Sequence, residues 1–83
     1  MDEELQRDEA DRMVAAMIYL ITCHARSGCP RLACMVRAHM RLIARHPATG
    51  ECLREICRRM GCAWEAIRAH DELHASSPPI GLH

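Results

Sequence analysis

The chain has 83 residues, which is room for one domain, and its acidic and basic residues cancel to a formal net charge of zero. With no Phe, one Trp (Trp64) and one Tyr (Tyr19), the core has to be built from Leu, Ile, Met, Val and Ala. The longest apolar run, residues 13–21, falls short of the roughly 20 residues that a membrane span needs, and the opening MDEELQRDEADR does not read as a signal or transit peptide. The expectation is a soluble, cytoplasmic protein without membrane contact, whose thiols are reduced.

The zero net charge hides a separation. Residues 1–11 hold Asp2, Glu3, Glu4, Asp8, Glu9 and Asp11 against Arg7, whereas residues 12–68 hold ten arginines against Glu51, Glu55 and Glu65. Every basic residue is Arg, the side chain suited to planar, bidentate recognition of carboxylate or phosphate.

An acidic N-terminal arm is expected over residues 1–7, then a first helix over about 8–25. Acids crowd its start, where they complement the helix dipole. Met13, Val14, Met17, Leu20, Ile21 and His24 recur at helical spacing, and Gly28 is a suitable stop. The second helix is expected over 30–46, with Pro30 in the favoured first turn. Leu32, Val36, His39, Met40, Ile43 and His46 share one face, and Arg37, Arg41 and Arg45 form a row on another. His46-Pro47 ends it, because the residue before proline is pushed out of helical geometry.

The third helix is expected over 50–74, with Thr49 as its cap and Leu53, Ile56, Cys57, Met60, Trp64 and Ile67 as its stripe. Gly61 interrupts it, marking a kink or a close helix contact. Ser76-Ser77-Pro78-Pro79 breaks any helix, so 75–83 is expected as a flexible tail. The fold class is therefore all-α: an up-down-up three-helix bundle, with the option of pairing into a homodimeric helical bundle.

Six cysteines stand at positions 23, 29, 34, 52, 57 and 62. A five-residue step turns a helical side chain by roughly 140°, so neither triplet can share one face. Cys57 falls in the core stripe, whereas Cys34 and Cys62 point outward. An antiparallel nesting of disulfides (Cys23 with Cys62, Cys29 with Cys57, Cys34 with Cys52) is geometrically open, but nothing else in the chain suggests a secreted scaffold. Cys23, His24, Cys29 and Cys34 around the first turn are a candidate metal set of the kind zinc accepts, without the short Cys-x2-4-Cys knuckle of structural zinc sites. Cys29, at the head of the second helix, is the candidate redox-active thiol.

No nucleophile–base pair, phosphate loop or cofactor fingerprint is present, so no enzyme is expected and no cofactor is required. The expected function is protein–protein contact, with another protein or as a homodimer, through Cys34, Cys62, Arg37, Arg41 and Arg45. One alternative is a metal- or redox-responsive regulator that uses the first-turn Cys/His group. The other is a nucleic-acid binder working through the arginines of the second and third helices, which the near absence of Asn and Gln and the acidic arm disfavour.

Overall fold

The structure is a computed structural model that describes residues 2–76. It is all-helical, with α1 over Asp2–Ser27, α2 over Pro30–Arg45 and α3 over Glu51–Ser76, and no strand among the described residues. The expected arm at 1–7 is largely absorbed into α1: Asp2, Glu3 and Glu4 form its first turn, where their charges stabilise the exposed N–H end. Likewise α3 continues to Ser76, and the rest of the expected tail lies outside the described residues.

Both turns follow local chemistry. Gly28 ends α1 in the left-handed region at φ 64°, and its N–H donates to the His24 carbonyl at 2.7 Å. Cys29 is the N-cap of α2 in extended geometry, with Pro30 directly behind it. Its thiol makes no capping bond, but its carbonyl accepts from Leu32 and Ala33. At the other end His46 is extended, as a residue before proline has to be.

The expected cap at Thr49 is corrected. Its buried hydroxyl turns back and donates to the Ile43 carbonyl at 2.7 Å, closing α2 rather than opening α3. Gly50 instead supplies the first α3 acceptor, to Arg54 N–H at 3.0 Å.

Arg54 completes this corner. Its Nε donates to the Ala44 carbonyl at 3.1 Å, and one Nη donates to the carbonyls of His46 (3.1 Å) and Thr49 (3.0 Å). The last carbonyls of a helix have no partner of their own, so one guanidinium satisfies several acceptors and locks the α2–α3 corner.

The core is centred on α2. Ala33, Val36 and Ile43 are fully buried and Met40 nearly so, packed with Met17 and Leu20 of α1 and Cys57 and Trp64 of α3. Complete burial of Val36 and Ile43 contributes about 1.5–3 kcal/mol each. Both outer helices pack on α2, but no Cα of α1 comes within 8 Å of one in α3. The bundle is therefore open, measuring 59 × 19 × 14 Å.

α1 and α3 meet through side chains. His24 Nε2 lies 2.6 Å from Asp71 Oδ2, with both side chains largely buried, and the His24 ring stands edge-on to Trp64 at 5.0 Å. At the opposite end His46 Nε2 lies 2.7 Å from Glu9 Oε1. Ala48 N–H donates to His46 Nδ1 at 3.1 Å, so the ring hydrogen sits on Nε2 and is given to Glu9. Glu9 thus lies level with the end of α2, and the α1 turns before it project past the corner, exposed along residues 2–9.

Gly61 makes no close helix contact: a Cβ there would meet nothing within 4 Å. Gly61→Ala is therefore expected to stabilise the fold by about 1 kcal/mol through helix propensity. Gly28→Ala is expected to destabilise it by about 1 kcal/mol through left-handed strain, although its Cβ also has room. Urea unfolding of both variants measures the pair. Arg54→Ala should cost about 2 kcal/mol by the same measurement, because it strands several carbonyls. Arg54→Lys should recover less than half of that, since a single ammonium lacks the planar fork that reaches the carbonyls of Ala44, His46 and Thr49 together.

Candidate functional site

The sequence-predicted residues separate into two groups. Around the first turn, Cys23 is half-buried beside Tyr19, whose hydroxyl is pushed above its ordinary value by the neighbouring thiol. His24 is committed to Asp71. Cys29 is half-buried at the α2 cap, and Cys34 is exposed beyond the first turn of α2. Among the described residues no three His, Cys, Asp or Glu side chains are placed to share a metal ion. The candidate set of Cys23, His24, Cys29 and Cys34 is thus not gathered. His39 Nδ1 donates to the Met35 carbonyl at 2.8 Å, one turn back on its own helix. All six cysteines are free thiols.

The arginine row is gathered. Arg37, Arg41 and Arg45 of α2 face Arg58, Gly61 and Cys62 of α3 across an open groove of about 570 Å³. Met40, Ala44 and Cys57 also line it, and Glu65 is its single acid. Four guanidiniums against one carboxylate make the groove positive over an apolar lining. A smaller adjoining depression contains Cys34 with Pro30 and Arg31, and shares Arg37 and Glu65 with the main groove. Cys34 and Cys62, both expected to face outward, therefore sit on neighbouring parts of one surface.

Glu65 organises the upper end of this surface. Arg68 binds both of its carboxylate oxygens, the shortest contact being 2.7 Å, and Arg37 approaches at 3.3 Å. The Arg68 hydrogen bonds, aided by the charges of Arg37 and Arg41, hold the Glu65 carboxyl below its ordinary value. In return, Glu65 and then Glu72 push the Arg68 guanidinium up. Arg41 and Arg45 form no ion pair among the described residues. Arg58 is shared with Glu55 at 3.3 Å, and Arg59 turns to the same carboxylate.

Sequence reasoning placed Arg54 on the positive flank, whereas the structure commits it to the corner. It also missed Gly61 and Ala44 as groove-lining positions. Their small size at facing helix positions was the available signal, because a missing side chain between two packed helices leaves a trough. No histidine lines either depression.

Comparison with known proteins gives no match: no family model, no curated protein and no solved structure resembles this chain.

Burial pushes the Cys57 thiol up, and only 3% of the residue is exposed. Alkylation at neutral pH should modify Cys34, Cys52 and Cys62 first, then Cys23 and Cys29, and Cys57 only as the protein unfolds; peptide mass mapping over time reads the order. Because the folded value is raised, the stability contributed by the neutral Cys57 thiol is complete below its ordinary value of 9.0 and is lost as pH rises past it.

Proposed function

We propose that this protein is a non-enzymatic binding module that works by protein–protein contact and pairs with a second copy of itself. The acidic, projecting turns of one α1 enter the arginine groove of the other copy. The observation that carries this reading is the complementarity of two unpartnered surfaces on one chain. The groove is cationic, with apolar side chains among its arginines. The projecting turns carry Asp2, Glu3 and Glu4 against Arg7, with Leu5 among them and 69% exposed, while Asp8 is already paired with Arg12 at 3.4 Å.

A leucine within an acidic helical turn suits a groove of this composition. Leu5 packs against Met40, Ala44 and the open space at Gly61, while the carboxylates meet Arg41, Arg45 and Arg58. Burying Leu5 contributes about 1.5–3 kcal/mol per contact, and the charges steer and orient the encounter more than they add affinity. No α1 residue lines the groove of its own chain, so the acidic turns can reach such a groove only on another copy. A two-fold arrangement makes the contact twice.

Sedimentation velocity tests this. The wild type is expected to be a dimer that dissociates as salt rises. Arg41→Glu with Arg45→Glu, and separately Glu3→Lys with Glu4→Lys, should each give monomers. An equimolar mixture of the two variants should restore the dimer, because both reversed contacts then pair. A wild type that stays monomeric at its highest attainable concentration overturns the reading. So does a monomer retained on double-stranded DNA in a salt-dependent way that Arg41→Glu with Arg45→Glu abolishes; that result would assign the groove to nucleic acid.

A further inference from the structure

We propose that His70 and His74, on the late turns of α3, form a two-point binding site for a divalent transition-metal ion that prefers imidazole, of the nickel class. This site is separate from the arginine groove and does not depend on dimerisation.

The residues are four apart on one helix, which places them on the same face one turn from each other. Both are exposed. Their rings are 4.2 Å apart between centroids and tilted by 49°, and the two Nε2 atoms converge to 3.0 Å. Without an ion, this approach is a hydrogen bond in which one Nε2–H donates to the lone pair of the other. An ion replaces that hydrogen and accepts both lone pairs, the displaced hydrogen being carried on Nδ1 of the same ring.

The spacing suits two ligands of one ion. With metal–nitrogen bonds of about 2.0–2.1 Å, two ligands at a right angle stand about 2.9 Å apart, and two at a tetrahedral angle about 3.4 Å. The observed 3.0 Å lies close to both spans, so the two rings need to move little to share one ion, and nickel is a suitable probe because imidazole suits it. Asp71 supports the arrangement: its Oδ1 lies 3.9 Å from His70 Nδ1, on the side of the ring away from the convergence. At that distance the carboxylate makes no hydrogen bond to the ring and contributes only its negative charge beside the site. Asp71 itself is held by His24 through its other oxygen at 2.6 Å, so the α1–α3 contact steadies this site.

No third His, Cys, Asp or Glu joins the pair among the described residues. The remaining positions on the ion are left to water or to a small exchangeable ligand. That makes this a surface site for a reversibly bound ion, unlike a closed structural centre.

The test is calorimetric titration of Ni²⁺ into the full-length, reduced protein, alongside His70→Ala, His74→Ala and the double variant. All six thiols remain in every sample, so differences report the histidines alone. Two-point binding predicts that each single substitution weakens Ni²⁺ binding about tenfold or more, and that the double variant loses less than the product of the two single losses. Circular dichroism should be unchanged, since both side chains are exposed. Wild-type affinity in the double variant would assign the ion to the thiols and overturn the proposal. So would independent partial losses in the single variants, or a wild type that binds no nickel at millimolar concentration. None of these outcomes depends on whether the protein is a dimer.

Discussion

Everything in this fold hangs on α2. It supplies the most deeply buried side chains, and it is the only helix whose backbone both of the others approach. A short helix placed between two longer ones has to be closed firmly at its ends, because its own terminal carbonyls and N–H groups lie where the neighbours turn. Pro30 removes one orphan donor at its start. At its end, Thr49 and Arg54 bring a hydroxyl and a guanidinium to the carbonyls left over. The α2–α3 corner is therefore a polar construction at the edge of an apolar core, and the positions of the groove arginines follow from it.

The arginines illustrate how one residue type is divided by context. Arg54 is turned inward and serves the backbone. Arg37 and Arg68 converge on Glu65, which fixes their guanidiniums and holds the carboxyl in its charged form. Arg41 and Arg45 lie beyond that network and give the groove its positive field. Surface ion pairs of the Glu55–Arg59 kind add little stability. In the proposed pairing, the unpartnered Arg41 and Arg45 supply the potential that meets the acidic turns of α1.

The open arrangement also explains the work given to histidine. With no direct backbone packing between α1 and α3, polar side chains tie α1 down at both ends: His24 to Asp71 of α3, and Glu9 to His46 at the α2 corner. Both histidines stand on stripes that periodicity reads as core. The His24 ring does lie against Trp64, but the nitrogens of both reach across to carboxylates far away in sequence. Helical phasing finds such positions and cannot name the partner, since Asp71 and His24 are brought together only by the packing of three helices.

The amino-acid sequence by itself determined the helices, both stops and most of the core stripe, because these follow from short-range rules: apolar spacing, the left-handed tolerance of Gly28, and the constraint that Pro47 places on His46; the exceptions are Ile56 and Met60, expected on the α3 stripe but 51% and 40% exposed, because α2 covers only part of that face. It also determined that the cysteines could not share a face and that Cys57 would be buried. Tertiary structure decided the rest. Thr49 closes α2 instead of capping α3, and Arg54 leaves the basic face, because acceptors from the neighbouring helix end lie within reach and local rules do not see them. The first-turn Cys/His residues form no metal-holding group, and His24 is drawn instead to Asp71 of α3. The arginine row became one wall of a groove only once α3 set Gly61 and Cys62 opposite it, and that juxtaposition of distant residues is what spacing along a chain does not contain.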